Sequence, residues 1–244
     1  MRITVLGRYG PYPAAGGACS GYLINASGTY LLLDCGAGVV SRLAFHVGLE
    51  SLSGLILSHL HGDHISDALV LRYALQAATV RGLRTGPLSV WTPFEPRDQL
   101  ELLQYRDVFN IQEPLPGQMV EIGTMAATPI AVKHSIPTFG WRFSTGSGTV
   151  AYSADSEECD GLICLARNAD LFLCEATFTA ARLQKGGSNH LSARQAGCIA
   201  SQAQVKRLLL THLSPWEDPD ELLAEAQTEF PQAELAVEQR TYEI

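Results

Sequence analysis

The chain has 244 residues, 46% hydrophobic and 17% charged, a balance that allows a substantial core in one domain over residues 1–244. Its net charge of −8, with only 17 lysine and arginine residues, disfavours a protein that grips a long RNA backbone but leaves a small phosphate ester open. No apolar run is long enough to span a membrane and no signal-peptide core follows Met1, so we expect a cytoplasmic protein without a membrane partner.

Apolar patterning predicts the elements of the first half. Five short apolar runs predict strands at Ile3–Leu6, Ser20–Asn25, Tyr30–Asp34, Gly54–Ser58 and Leu88–Trp91. Apolar residues at helical spacing predict helices over Asp63–Gln76 and Gln99–Phe109.

The second half begins with four more predicted strands, at Met119–Ile122, Met125–Lys133, Trp141–Ser144 and Thr149–Ser153. Helices then alternate with strands: helices at Gly161–Ala169, Ser192–Gln202 and Pro219–Phe230, and strands at Leu171–Cys174, Lys206–Thr211 and Glu234–Arg240. Ser192 with Gln195 three residues later matches a capping box and supports the helix start there. The order predicts an α/β protein with two sheets sandwiched between helical layers, an αββα arrangement.

The clearest chemistry lies in the stretch that follows the predicted strand at Gly54–Ser58. It places three imidazoles and a carboxylate within six positions: His59, His61, Asp63 and His64. Neutral imidazole and carboxylate are the ligands that suit Zn²⁺ and similar divalent ions. Their alternation sends side chains to both sides of the loop, so one segment can serve two adjacent metal positions.

Three more residues of the ligand type follow predicted buried strands. His134, Asp155 and His212 each stand at the carboxyl end of such a strand, where loops converge in this class of fold. His190 lies instead in a polar loop before a helix, and composition alone leaves its role open.

Together these residues closely resemble the metallo-β-lactamase-fold hydrolases of the ribonuclease Z-like branch. The similarity covers nearly the whole chain and is carried by Asp34-Cys35-Gly36, the His59–His64 stretch, His134-Ser135-Ile136-Pro137, Ser153-Ala154-Asp155, Glu175-Ala176-Thr177-Phe178 and Thr211-His212. The resemblance implies a four-layer αββα sandwich with a two-metal site. It also implies that Asp34 is structural and orients the loops that carry the ligands.

Position by position, the resemblance implies that His59, His61 and His134 hold one ion. Asp63, His64 and His212 would hold the other, and Asp155 would bridge the two. The expected ions are two divalent cations, Zn²⁺ by preference and Mn²⁺ as the alternative.

Two cations about 3.5–4 Å apart suit phosphodiester hydrolysis. In this branch a histidine matching His190 is the general acid, oriented by a glutamate matching Glu175, and we count both with Asp63 as candidate catalytic residues. The chain departs from the pattern at Cys174, where a histidine is usual, so the hydrogen bonds around Glu175 are open to change.

The substrate expected from the resemblance is a small cyclic nucleotide. Ribonuclease Z carries a basic arm between the segments that match His134 and Asp155, but here these residues are too close in sequence to contain one. The run from Leu6 to Tyr22 resembles small bacterial and phage cyclic-nucleotide phosphodiesterases of the anti-Pycsar type, which destroy cyclic-nucleotide immune signals.

That relationship implies a homodimer in which one subunit's loop reaches the other's pocket, and Phe94–Pro116 with Tyr105 and Phe109 is the candidate loop. An ordinary helix that packs its aromatic residues in the core is the alternative for that segment. The competing functions are an RNA 3′-processing endonuclease, a lactone or thioester hydrolase, and a protein that sequesters a nucleotide without cleaving it.

Overall fold

Two seven-stranded sheets face each other in the computed structural model, which describes all residues 1–244. The strands of the first sheet are β1 (Arg2–Gly7), β2 (Gly21–Ala26), β3 (Thr29–Leu33), β4 (Gly54–Ile56), β5 (Leu88–Trp91), β6 (Phe109–Gln112) and β14 (Thr241–Glu243). The strands of the second sheet are β7 (Val120–Ile122), β8 (Met125–Ala131), β9 (Phe139–Thr145), β10 (Gly148–Tyr152), β11 (Leu171–Glu175), β12 (Leu208–Thr211) and β13 (Glu234–Leu235). Their spatial orders are β14-β1-β2-β3-β4-β5-β6 and β13-β12-β11-β10-β9-β8-β7.

Helices cover the outer faces of both sheets. They are α1 (Val39–Leu43), α2 (Gly62–Ile65), α3 (Ala68–Val80), α4 (Arg97–Leu103), α5 (Asp160–Ala166), α6 (Ala180–Gln184), α7 (Ala193–Gln202) and α8 (Pro219–Glu229). One apolar core lies between the sheets, a second between the second sheet and α5, α7 and α8, and a third between the first sheet and α1, α3 and α4. The predicted αββα sandwich is confirmed, and so is the capping box of Ser192 and Gln195. No helix combines the length and the apolar composition that crossing a membrane requires.

Strand direction brings the candidate residues to one edge. Strands β3 to β6 are parallel to one another, and so are β10 to β13. Because parallel strands end at the same edge of a sheet, the segments that follow β3, β4, β10, β11 and β12 converge there. Asp34, His59, Asp155 and His212 each lie one to three residues beyond such a strand, and Glu175 is the last residue of β11.

The helix predicted over Gln99–Phe109 is wrong in its second half. The helix ends at Leu103 because Gln104 is extended and Arg106 has a left-handed backbone with φ of 48°. Phe109 instead begins β6, which adds in parallel to the edge of β5. The helix predicted over Asp63–Gln76 is interrupted at Ser66 and Asp67 and then continues to Val80.

The strand predicted over Glu234–Arg240 is also wrong beyond Leu235. The Tyr242 hydroxyl accepts a hydrogen bond from the Val237 amide, and Gln239 has a left-handed backbone, so the chain turns there. Thr241–Glu243 then pairs antiparallel with β1 in the opposite sheet. Of the predicted strand, only Glu234 and Leu235 form one, and the strand in the opposite sheet begins just beyond its predicted end.

Candidate dinuclear metal site

The loop after β4 supplies four of the candidate ligands. His59 is fully buried, His61 precedes α2 with an extended backbone, and the short helix then turns Asp63 and His64 into the protein. This turn separates the four side chains into two groups. His59 and His61 join His134 and Asp155, whereas Asp63 and His64 join Asp155 and His212.

Within each group the donor atoms lie within 4.8 Å of one another. In the first group, Nδ1 of His61 is 3.0 Å from Nε2 of His59 and 3.1 Å from Nε2 of His134. In the second group, Nε2 of His212 is 3.2 Å from Oδ2 of Asp63 and 3.3 Å from Oδ2 of Asp155. Asp155 belongs to both groups, so the structure brings all seven candidate ligands together around one shared carboxylate.

The protonation states suit cation binding. Burial is the main cause that lowers the pKa values of His59, His61 and His134, which favours the neutral imidazole that binds metals. Although burial opposes its ionisation, neighbouring imidazoles, with His212 and His64 foremost, hold the pKa of Asp155 well below its usual range. His59, His61 and His134 are therefore held neutral and Asp155 ionised. The pKa of His64 is raised instead, because the carboxylates of Asp155, Asp63 and Asp34 outweigh its burial, so His64 would have to release its proton to a bound cation.

Two buried atoms of the cluster have no hydrogen-bond partner: Nε2 of His64 and Oδ1 of Asp155. An orphaned buried polar atom costs about 1–3 kcal/mol, more when it is charged, unless another group satisfies it. Both atoms carry lone pairs in the ligating state, and Nε2 of His64 lies 3.3 Å from Oδ2 of Asp155 and 3.6 Å from Oδ2 of Asp63. The residues present thus fit two divalent cations, and the cluster is suited to a dinuclear metal site.

Four of the imidazole rings are oriented through the nitrogen that the cluster does not use. Nδ1 of His59 lies 3.0 Å from Oγ of Ser58, and Nδ1 of His64 lies 2.8 Å from Oδ2 of Asp34. Nδ1 of His134 and of His212 meet the Asn189 carbonyl at 2.8 Å and Oγ1 of Thr177 at 2.9 Å. Such partners fix the tautomer and the direction of a ligating ring.

Asp34 is fully buried and takes no part in either donor group. Its carboxylate accepts hydrogen bonds from the Ser58 amide and hydroxyl and from the Tyr152 hydroxyl, in addition to meeting His64. It ties the loops after β3 and β4 to the opposite sheet, which agrees with the orienting role that the sequence predicts.

His190 and Glu175 form a pair beside the second group. Nδ1 of His190 is 3.1 Å from Oε1 of Glu175, whose carboxylate also accepts from the Ser156 and Leu191 amides and the Thr177 hydroxyl. Burial opposes protonation of His190, but the charge and hydrogen bond of Glu175 outweigh it and raise the pKa to about 9. An imidazole with this pKa is protonated at neutral pH.

The departure from the family pattern at Cys174 leaves this pair intact. Cys174 points to the opposite face of β11, into the core beneath the helices, and no hydrogen bond of Glu175 involves it. Thr177 and Ser58, which the sequence reasoning did not single out, emerge as orienting residues. In the sequence, Ser58 is marked only by its adjacency to His59, and Thr177 only by its place in the Glu175–Phe178 motif that carries the family resemblance.

A cavity of about 490 Å³ opens onto the cluster. Its walls are formed by residues of both sheets' loops: Pro11, His61, Gly62, Asp63, Asp155, His190 and His212. His190 is thus exposed to a substrate that reaches the donor groups. Pro11 is a lining residue that the ligand pattern could not indicate.

Known proteins share this arrangement of sheets. A family model described as a β-lactamase superfamily domain matches residues 29–213. The probable metallo-hydrolase YhfI of Bacillus subtilis is 36% identical over 231 residues, which cover 94% of each protein. Its crystal structure has a TM-score of 0.93 and 35% identity, over 99% of this chain and 98% of that one.

Ribonuclease Z proteins are more distant relatives. That of Azobacteroides pseudotrichonymphae is 30% identical over 282 residues, covering 98% of this chain and 96% of its own length. The crystal structure of the short form of human tRNase Z has a TM-score of 0.79 at 22% identity, over 100% of this chain and 99% of that one. At that identity the likeness concerns the fold alone.

Proposed function

Since the chain belongs to the β-lactamase superfamily, we propose that its dinuclear site is that of a phosphodiesterase which opens cyclic nucleotides to linear products. The observation that carries the proposal is the His190–Glu175 pair on the wall of the metal cavity. A phosphodiester releases a poorly stabilised alkoxide, which needs a proton as the bond breaks. A thioester releases a thiolate, which has less need of such a donor, so the pair disfavours thioester hydrolysis. A lactone also expels an alkoxide, and the substrate panel described below separates it from a cyclic nucleotide.

The metal-binding roles follow from the two donor groups. His59, His61 and His134 would hold one cation, Asp63, His64 and His212 the other, and Asp155 would contact both. The imidazole and carboxylate donors suit Zn²⁺ and also accept Mn²⁺. When bound, two such ions activate water as a nucleophile and neutralise charge on the phosphate oxygens.

The protein's own side chains then handle the proton. Nδ1 of His190 points to Glu175, so Nε2 is the atom free to donate a proton to the leaving oxygen. Glu175 is fully buried and held by three other donors, so it keeps the imidazole in one orientation. Asp63 lines the cavity, so it would both hold the cation and face the phosphate group of a bound substrate.

Two features support a small substrate over precursor RNA. The segment between His134 and Asp155 consists of the β9–β10 hairpin, with only Gly146 and Ser147 between the two strands. No arm that could hold a transfer RNA projects there. The net charge of −8 also disfavours an extended phosphate backbone. An RNA 3′-processing endonuclease remains the second candidate because ribonuclease Z proteins are relatives.

The proposal is tested by a substrate panel with the Zn²⁺- or Mn²⁺-loaded protein. Its members are 3′,5′-cyclic mononucleotides, cyclic dinucleotides, a precursor transfer RNA, a lactone and a thioester. We expect turnover of at least one cyclic nucleotide, with a kcat/KM about tenfold or more above that for every other class. Higher efficiency on precursor transfer RNA or on a carbonyl ester would overturn the proposal, and nucleotide binding without turnover would indicate a sequestering protein. Removal of immune cyclic nucleotides is the biological role that this activity would serve.

Glu175→Gln gives a pH test of the proton donor. His190 donates only when protonated, so kcat/KM falls as pH rises through its pKa. Because Glu175 raises that pKa, its neutral isostere should move this alkaline fall to lower pH. The measurement is the pH profile of kcat/KM, with Glu158→Gln, an exposed carboxylate nearby, as the matched control. An unchanged alkaline limb in Glu175→Gln would contradict the pairing.

We also propose that the chain forms a homodimer through an apolar stripe on α3. The stripe consists of Val70, Tyr73, Ala77 and Val80, whose spacing places them on one helix face, and the three larger residues are more than half exposed. Two copies crossing antiparallel would set Tyr73 against Ala77, a large residue against a small one. The loop Phe94–Pro116, which the resemblance implies would reach the partner subunit, borders the stripe, since the ring centroids of Tyr105 and Tyr73 are 4.9 Å apart.

Light scattering during gel filtration tests the dimer. We expect twice the chain mass of 26.4 kDa for the natural sequence and for Met119→Glu, an exposed apolar residue elsewhere. Val80→Glu should give the monomer mass, because it buries an unpaired charge in the contact. A natural protein that elutes as a monomer at micromolar concentration would disprove this proposal.

A further inference from the structure

The segment after β1 lies against the candidate ligand His212. The Leu213 amide donates to the Arg8 carbonyl at 2.8 Å, and the Gly10 amide donates to the Leu213 carbonyl at 3.3 Å. A parallel bridge between Tyr9 and Leu213 completes the contact. The end of a strand in the first sheet is thereby fixed to the chain that follows β12 in the second sheet.

Gly10 has no room for a side chain. A Cβ built there would lie 2.5 Å from Cδ2 of His212 and closer still to Cε1 and Nε2, whereas unbonded carbons settle about 3.5–4.0 Å apart. The backbone of Gly10 is not in the left-handed region. Glycine is therefore required here by the close approach of the imidazole and not by the backbone conformation.

The His212 ring cannot move aside without cost. It is 1% exposed, Nδ1 meets Thr177, and the rings of His64 and His190 stack against it at 5.2 Å each. The backbone of Gly10 is held by its hydrogen bond to Leu213, so retreat on that side is also opposed. A methyl group at this position must therefore displace the ring.

We infer that Gly10 is a positioning residue for the second cation, because its bare backbone supports the His212 ring with Nε2 directed at Asp63 and Asp155. The inference rests on the metal-binding part of the proposed function. Displacing the ring removes one of the four donors of the second group, whereas His59, His61 and His134 belong to the other group and the three atoms nearest to the built Cβ are all of His212. Gly10→Ala should therefore weaken the binding of the second cation and leave the affinity for the first unchanged.

The experiment is a Zn²⁺ titration of the metal-free protein in competition with a chromophoric chelator, together with native mass spectrometry. We expect two bound ions in the natural protein and in Gly146→Ala, whose new Cβ would meet open space. Gly10→Ala should retain one ion at natural affinity and bind the second about 10–100-fold more weakly, the usual effect of disturbing a ligand's support. Two ions at natural affinity in Gly10→Ala would overturn the inference.

Failure of the proposed metal site has a different signature, because the natural protein itself would then bind no second ion. A double-mutant cycle with His212→Ala covers the case in which Gly10→Ala folds poorly. Without the imidazole there is room for the methyl group, so adding Gly10→Ala to His212→Ala should change neither the second-ion affinity nor the melting temperature. A further loss in the double variant would show that Gly10 acts other than through His212 and would overturn the inference.

Discussion

His190→Ala is expected to lower kcat on a cyclic nucleotide by about 10²–10⁴-fold, the usual contribution of a positioned general acid. The variant should keep the natural content of bound metal, because His190 belongs to neither of the two donor groups that share Asp155. The loss should lie in kcat, since the proton is needed in the transition state and not for binding.

The leaving group provides the sharpest test of this role. A p-nitrophenolate leaves without a proton, so His190→Ala should lose far less activity on a p-nitrophenyl phosphodiester than on a cyclic nucleotide. His46→Ala is the matched control, because His46 lies outside the site and is hydrogen-bonded to Gln239. An equal loss on both substrates would assign His190 a structural role, and an unchanged kcat would remove it from the mechanism.

The candidate ligands could be predicted from the sequence because they stand just beyond predicted strands or in the short stretch that follows β4. His134, Asp155 and His212 follow short apolar runs. The parallel order of β10 to β12 brings Asp155 and His212 to one edge, and His134 reaches the same edge because β8 and β10 both pair antiparallel with β9. The resemblance to the metallo-β-lactamase fold, read from these motifs, is confirmed at the level of the superfamily.

Other parts of the molecule could not be predicted because distant contacts decide them. Phe109 begins a strand since β5 offers an unpaired edge, which no local pattern announces. Thr241 pairs with β1 across the whole length of the chain. Gly10 lies against His212 only after both sheets have formed, so the sequence shows it as one turn glycine among many.

The position of His190 illustrates the same limit at the site, because only the family resemblance, and no local pattern, pointed to this residue. Its loop has no apolar pattern, and the neighbouring Asn189 has a left-handed backbone with φ of 64°. The loop is held by contacts to residues far away in sequence: the Asn189 carbonyl meets His134, and the Leu191 amide donates to Glu175. Position relative to the cavity, not composition, distinguishes His190 from a solvated histidine.

Asp155→Ala should have the largest effect on metal content, because Asp155 alone belongs to both donor groups. Its Oδ2 lies 3.3 Å from Nε2 of both His64 and His212 and 3.6 Å from Nε2 of His59. Without the carboxylate, each group loses its shared negative charge, and the imidazoles face one another with nothing to hold a cation between them. We expect less than one tightly bound ion per chain and a loss of activity of about 10³-fold or more.

Thermal unfolding gives this prediction an independent readout. A ligand at 1,000 times its dissociation constant stabilises the folded state by about 4 kcal/mol, so adding Zn²⁺ should raise the melting temperature of the metal-free natural protein. The exposed Asp98 provides the control variant Asp98→Ala, which should keep that increase, whereas Asp155→Ala should lose most of it. His61→Ala should lose only part of the increase in melting temperature, because His61 belongs to one donor group alone. The other group, Asp63, His64, Asp155 and His212, stays in place. If Asp155→Ala instead kept the full increase, the two groups would be independent sites and the shared carboxylate would not couple them.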